Sequence, residues 1–211
     1  WKYNEIAGLI QGKPAVSDDY VIFGAWDRHL YCLNKKDGSL RWKWKNGKPQ
    51  QLYSPGNIVP AVSCSNVFIV APDRFMTAID IGSGRENWRT GRHMVRESMG
   101  ISADGKLVYA KLMNDTLIAV SAQAGKPVTA WAKNQGFGYE HNPCPVKASA
   151  KLLVNGTRSG VIIAADPFSG EVLWKYKAGS SSVINLVIDS GGLIWYTLAE
   201  GKAGCLIPVK N

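Results

Sequence analysis

Along the 211 residues, apolar positions come in short runs rich in Val, Ile, Leu and aromatic residues, separated by Asp, Asn and Gly. Runs this short, bounded by turn residues, read as β-strands, because a helix needs apolar positions three to four residues apart over several turns. No segment sustains that spacing, so helix is expected to be almost absent. The runs recur in sets. Residues 20–24 and 30–33 form the first, 67–70 and 75–79 the second, 107–110 and 117–120 the third, 152–154 and 161–164 the fourth. The fifth holds residues 186–189, 193–196 and 204–207.

Four of the five sets end in the same chemistry. Ala164-Ala165-Asp166-Pro167-Phe168-Ser169-Gly170-Glu171-Val172-Leu173-Trp174 ends a strand at an Asp, turns through a Gly and opens the next strand with a Trp. Asp80, Gly84 and Trp88 repeat it, as do Asn34, Gly38 and Trp42 and, more loosely, Ser121, Gly125 and Trp131. The tryptophans lie 46, 43 and 43 residues apart. A period of about 40–50 residues with several short strands marks a β-propeller blade, which must stack on neighbours to bury its two faces. Trp1, Trp42, Trp88, Trp131 and Trp174 are therefore expected to be wedges between blades, with Asp80, Asp166, Gly38, Gly84, Gly125 and Gly170 shaping the turns.

The expected fold is all-β, a β-propeller of four-stranded antiparallel blades with about five repeats. A single domain over residues 1–211 is expected, its repeats falling near 1–42, 43–88, 89–131, 132–174 and 175–211. The fifth repeat lacks its Gly and Trp, whereas the chain opens with Trp1-Lys2-Tyr3, a copy of Trp174-Lys175-Tyr176. Two arrangements stay open: a five-bladed ring whose last blade the N-terminal strand completes, or part of a propeller of about seven or eight blades.

The pattern A-x-D-x-x-x-G-x-x-x-W resembles the repeat of pyrroloquinoline-quinone-type propellers, and the resemblance covers essentially the whole chain. Ala78, Asp80, Gly84 and Trp88, and Ala164, Asp166, Gly170 and Trp174, fit it throughout. The first repeat departs from it at Cys32 and Asn34, the third at Ser121 and with two extra residues before Trp131, the fifth at Ile207. WD40 repeats differ by ending a strand in Trp-Asp, and here Trp26-Asp27 occurs once, in a turn. Residues 52–57, 70–74 and 95–102 resemble more closely the propeller attached behind calcineurin-like metallophosphoesterase domains of some bacterial envelope proteins. The resemblance implies a bacterial cell envelope protein, periplasmic or secreted.

It also implies two chemistries. A quinone-dependent oxidoreductase of this kind uses Glu, Asn and Asp around Ca²⁺, a catalytic Asp and typically an adjacent Cys pair. Cys32, Cys64, Cys144 and Cys205 include no adjacent or CxxC pair, and most carboxylates fall in turns (Asp18, Asp19, Asp37, Asp73, Asp104, Asp115). Phosphoesterase metal-ligand motifs do not occur in this sequence either, so such activity would lie in another segment. No cofactor, metal ligand or catalytic residue is expected.

The net charge of +9 and pI near 9.4 permit an anionic partner. The cations are spread along the chain, however, and the densest group is Arg41-Trp42-Lys43-Trp44-Lys45. A solvated basic surface is the expectation, with no nucleic-acid site. No apolar run approaches the roughly 20 residues of a membrane helix. Asn114-Asp115-Thr116 and Asn155-Gly156-Thr157 match a glycosylation tripeptide but are expected to be hairpin turns. Trp44 and Tyr53 are free aromatics that a sugar could stack on.

Residues leading into the first strand of each blade are polar and are expected to line the mouth of the channel: Gln11 and Lys13, Asn57, Arg96 and Glu97, Tyr139, Glu140, His141 and Asn142, and Asn185. Loops on a rigid scaffold usually carry binding. The expected function is a noncatalytic scaffold that binds a protein or peptide, through this crown or through an exposed strand edge. The alternatives are a quinone-dependent oxidoreductase or the accessory domain of a phosphoesterase.

Overall fold

The computed structural model describes residues 1–207 apart from Cys64, Ala124 and the side chains of Arg96 and Glu97. Among the described residues, strands β1 to β19 form five antiparallel sheets, and the only helical element is a single 3₁₀ turn at Gln51–Tyr53. The first sheet runs β1 (Ala15–Val16), β2 (Tyr20–Gly24), β3 (Leu30–Asn34), β4 (Leu40–Trp44). The second runs β5 (Ala61–Val62), β6 (Asn66–Val70), β7 (Met76–Asp80), β8 (Glu86–Thr90). The third holds β9 (Val95–Ile101), β10 (Leu107–Leu112), β11 (Asn114–Ser121) and β12 (Thr129–Tyr139). The fourth holds β13 (Lys147–Ala148), β14 (Leu153–Gly156), β15 (Val161–Ala165) and β16 (Val172–Lys177). The fifth has three strands, β17 (Val183–Ile188), β18 (Ile194–Leu198) and β19 (Ala203–Leu206). Successive strands pair in sequence order, as the blades of a β-propeller do.

The chain divides into two compact units. One comprises Trp1–Met99 with Ala122–Pro127, the other Gly100–Ser121 with Val128–Asn211. In the first unit, Ile22, Leu30, Cys32, Trp42 and Trp44 of the first sheet pack on Ile58, Val67, Ile69 and Ile79. In the second, Tyr109, Leu117 and Ala119 pack on Val146, Leu153 and Ala165, while Val154, Ile162 and Ala164 pack on Val183, Leu186, Ile194 and Leu198.

The repeated turn has a definite mechanism. In the second sheet the Gly84 N–H donates to the Asp80 carbonyl (2.9 Å) and the Asp80 N–H to the Arg85 carbonyl (2.8 Å). Asn34 and Gly38 make the same closure, as do Asp166 and Gly170. The Asp80 carboxylate accepts the Ser83 N–H (2.7 Å) and hydroxyl (2.6 Å), and Asp166 accepts the N–H groups of Phe168 and Ser169. These bonds favour the ionised form and hold both carboxyls below their usual range. Gly38, Gly84 and Gly170 have φ of +73°, +72° and +74°, a region that a side chain makes costly.

The tryptophans meet these turns. Each stands opposite a small residue in the third strand of its sheet: Trp42 opposite Cys32, Trp88 opposite Ala78, Trp131 opposite Ala119 and Trp174 opposite Ala164, with a register shift beside each pair. The ring of Trp42 then lies 2.6 Å from where a Cβ would stand on Gly84, and that of Trp131 2.5 Å from the same point on Gly170. Trp1 makes the same contact with Gly38. Two of the indoles also bond the carbonyl just after the turn's Asp or Asn: Trp42 Nε1–H donates to Ile81 (2.8 Å) and Trp1 Nε1–H to Lys35 (2.9 Å). The third repeat differs. The Tyr109 hydroxyl takes the Pro167 carbonyl (3.0 Å) and the Trp131 indole N–H finds no partner, while no atom lies within 4 Å of a Cβ position on Gly125.

Burial of the five tryptophans is unequal. Trp42 and Trp88 are buried, at 8% and 7% exposure, Trp131 and Trp174 are half-buried, and Trp1 is 62% exposed. Residues 1–14 lie outside every sheet. Asn155 lies in β14, fully buried, and not in a hairpin turn. Trp42→Ala is expected to cost about 3–5 kcal/mol, as a buried large-to-small change. Trp174→Ala, starting from a half-buried ring, should cost clearly less. Chemical denaturation of the two variants checks the order.

Candidate functional site

Strand alternation governs the stretch that follows β12. Successive side chains point to opposite sides, so Tyr139 and His141 face solvent while Glu140 and Asn142 turn inward. Glu140 pairs there with Lys111, whose position in the apolar strand β10 leaves its ammonium no water; their side chains are 6% and 3% exposed. Lys111 Nζ also donates to the Gly156 carbonyl (2.7 Å) and sits 4.4 Å from the centre of the Phe137 ring. The second Glu140 oxygen accepts the Arg158 N–H (2.9 Å). Burial pulls the Lys111 pKa down, and Glu140 opposes that pull.

Asn142 completes this polar seam. Its amide N–H₂ donates to the carbonyls of Gly156 (3.1 Å) and Val183 (3.0 Å), tying the fourth sheet to the fifth. Above the seam, Tyr139 and His141 form an exposed edge-to-face pair with ring centres 5.2 Å apart. The pair is therefore presented on a backbone fixed from beneath. Sequence reasoning missed Lys111, although a single charge within Leu107-Val108-Tyr109-Ala110-Lys111-Leu112 calls for a buried counter-ion.

Gln11 is exposed and accepts the Trp26 indole N–H (3.3 Å), its N–H donating to the Gly56 carbonyl; Lys13 is exposed, and Asn57 is half-buried between Gly56 and Ile58. The first strand of the third sheet starts at Val95, so Arg96 and Glu97 lie within β9 rather than leading into it, and their side chains fall outside the described residues. Asn185 likewise lies inside β17, exposed, its amide 3.5 Å from the Thr197 hydroxyl.

In the first unit the hairpin turns between second and third strands hold two aspartates. Asp27 accepts the His29 N–H (3.1 Å), the Ala7 N–H (3.2 Å) and the Tyr31 hydroxyl, which together hold its carboxyl low despite burial. Asp73 accepts the Phe75 N–H (3.1 Å), the Asn46 amide (2.7 Å) and the Arg89 guanidinium. Arg89 lies over the rings of Trp44 (5.7 Å) and Phe75 (4.8 Å). Trp44 is buried beneath it and is not a free platform for a sugar, and β4 shows why: Trp42 and Trp44 point in while Arg41, Lys43 and Lys45 alternate into solvent.

The second unit carries an apolar cleft of about 940 Å³ beside the fifth sheet, lined by Trp174, Tyr176, Ile188, Ile194, Leu206 and Ile207 among others.

The donors that a Ca²⁺-bound quinone would call for are Glu, Asn and Asp. Among the described residues no three His, Cys, Asp or Glu side chains gather where they could hold a metal ion. Glu140 and Asn142, the pair of suitable type, are taken up by Lys111, Arg158 and two carbonyls. Burial pushes the Cys32 and Cys144 thiols up to about 12, so neither is a thiolate nucleophile near neutral pH.

Antiparallel sheets that repeat a small residue, an Asp or Asn turn, a glycine and a wedge tryptophan define a β-propeller of the pyrroloquinoline-quinone-like class. Within that class the chain belongs to the family described as outer membrane protein assembly factor BamB, whose model matches residues 1–130. It is similar to proteins of that name from Moranella endobia, 23% identical over 98% of this chain and 43% of theirs, and from Yersinia pestis, 26% identical over 80% and 44%. The protein of that name from Alkalilimnicola ehrlichii is 21% identical over 94% of this chain and 51% of its own length. The chain thus spans about half the length of the curated relatives it matches.

Lys111→Met should cost about 3–5 kcal/mol by leaving Glu140 charged and buried, and the double variant Lys111→Met/Glu140→Met should recover most of that loss. Denaturant unfolding of the two singles and the double checks the coupling.

Proposed function

We propose that this chain is a noncatalytic scaffold on the periplasmic side of the bacterial envelope, holding a protein partner in the assembly of outer membrane proteins. The observation that carries this reading is the Tyr139–His141 pair, exposed above the buried Lys111–Glu140–Asn142 seam. Aromatic side chains are enriched where proteins meet, since they bury much area for few lost rotamers. A backbone already fixed from beneath loses little further freedom on binding. Membership of a family whose members are named as outer membrane protein assembly factors supplies the setting. Among the described residues no helix is long and apolar enough to cross a membrane, and the partner is expected to be met by the crown.

A photo-reactive phenylalanine analogue at position 139, in the protein expressed in a bacterium with an outer membrane, is expected to cross-link to a component of the outer membrane protein assembly machinery. His141→Ala should lower the cross-link yield several-fold with the melting temperature unchanged. Cross-links from a control probe at exposed Leu52 but none from position 139 would move the partner away from the crown.

The noncatalytic part has its own check. Titration with pyrroloquinoline quinone and Ca²⁺ should give no saturable quenching of the eight tryptophans. Ca²⁺-dependent quenching lost in Asn142→Ala would make this an oxidoreductase.

A further inference from the structure

Each sheet contains a hairpin whose last paired residues lie six positions apart, Gly24 and Leu30 in the first sheet, Val70 and Met76 in the second. Two residues before the second strand of that hairpin begins to pair, the backbone enters the left-handed region in all five sheets. It does so at Arg28, Arg74, Asp115, Gly160 and Gly201, with φ of +75°, +65°, +71°, +78° and +80°. Glycine takes this conformation freely and Asp or Asn at small cost, because an ordinary Cβ crowds the following carbonyl oxygen. Three sheets use such a residue, and the first two use arginine. The turn itself does not ask for it. Its Asp does the closing: Asp27 accepts the His29 N–H (3.1 Å) and Asp73 the Phe75 N–H (3.1 Å). Both arginines are exposed. Among the described residues the Arg28 guanidinium has one long bond, to the Pro49 carbonyl (3.4 Å), and the Arg74 side chain has no hydrogen bond or ion pair. Strained backbone kept where a cheaper residue would serve marks a position under another demand.

The two arginines belong to one surface of the first unit. Their turns and the exit of β4 lie at the same end of the sheets, since Trp44, the last residue of β4, pairs with Leu30. That exit runs from one turn to the other. Pro49 receives Arg28, Lys48 Nζ stands over the Phe75 ring (5.9 Å) beside Arg74, and the Asn46 amide bonds Asp73 (2.7 Å). Lys43, Lys45 and Lys48 are exposed along it. The carboxylates of the two turns face inward instead, their side chains only 10% exposed at Asp27 and 3% at Asp73. Next to Arg28 the surface dips into a cleft of about 590 Å³, walled by Trp26, Tyr31, Lys43 and Pro49, with the exposed Glu5 on its border.

We propose that this cationic end of the first unit is a docking surface for an acidic segment of a protein partner, whose carboxylates pair with Arg28 and Arg74 and one of whose apolar side chains fills the cleft beside Arg28. A guanidinium meets a carboxylate through two parallel N–H bonds, a directional match that a lysine ammonium does not offer. That match accounts for arginine at two positions where the backbone would favour glycine. The concave, aromatic-walled cleft selects a peptide over a membrane surface, which presents its charge in a plane. The choice of a protein as the partner rests on the scaffold reading above, whereas the surface itself uses no residue of the Tyr139–His141 pair.

Fluorescence anisotropy of a fluorescein-labelled peptide of Glu, Asp and Phe, titrated with the 211-residue chain, tests it. Binding should saturate, weaken steeply as salt is raised, and vanish when Gln and Asn replace Glu and Asp in the peptide. Arg28→Asn and Arg74→Asn should each lower the affinity several-fold. Their melting temperatures should hold or rise, since Asn suits the left-handed backbone better than Arg. Lys36→Gln removes an exposed charge from the turn at the opposite end of the first sheet and should leave the affinity nearly unchanged. Binding that persists in His141→Ala supports this surface and separates it from the crown. The proposal is overturned if the acidic peptide does not bind, if the neutral peptide binds as well, or if Lys36→Gln weakens binding as much as the arginine variants, which would reduce the effect to net charge. It is equally overturned if the peptide is ignored while vesicles of phosphatidylglycerol and phosphatidylcholine co-sediment with the chain through Arg28 and Arg74, which would give the surface to a membrane.

Discussion

An indole laid against a glycine is the contact on which the rest of this structure depends. Trp42 covers Gly84, Trp131 covers Gly170 and Trp1 covers Gly38, each ring reaching from one repeat onto the turn of the next. The glycine is required twice over, by its left-handed backbone and by the ring that occupies the space of a Cβ. The small residue facing each Trp in its own sheet follows from the same need, since a bulky one would compete for the volume the indole fills. One large apolar group per repeat thereby converts a row of hairpins into stacked blades.

The polar interior works differently. Lys111, Glu140 and Asn142 lie where apolar sheets meet, and each charge or amide is matched by a carbonyl, an N–H or a counter-ion. Such a seam is poor evidence of added stability, because two ions must first be stripped of water. Its effect is directional. It fixes the backbone after β12 so that Tyr139 and His141 face outward, and this joins a buried electrostatic arrangement to an exposed aromatic pair.

The basic character of the chain finds a plain account in the same alternation. Arg41 and Lys43 face solvent from β4, and Lys45 does so just after it, their neighbours Trp42 and Trp44 being buried. Lys175 and Lys177 are the exposed charges of β16. Cations along outer strands discourage unwanted edge pairing while leaving the wedge in place.

The amino-acid sequence by itself determined the strands, the repeat and the propeller class, whereas the closer resemblance to a propeller behind a phosphoesterase domain is not the family whose model matches. Strands, repeat and class rest on local chemistry: an Asp that caps a turn, a Gly that permits it and a Trp at a fixed distance behave alike wherever they recur. It did not determine which polar residues of the predicted crown are exposed. Glu140 and Asn142 look like Tyr139 and His141 in the sequence, and only the position of Lys111, 29 residues upstream, and of the Gly156 and Val183 carbonyls decided that they turn inward. Nor could the sequence show that Trp44 is covered by Arg89. Those outcomes depend on contacts between residues distant along the chain, and a pattern of neighbours carries no record of them.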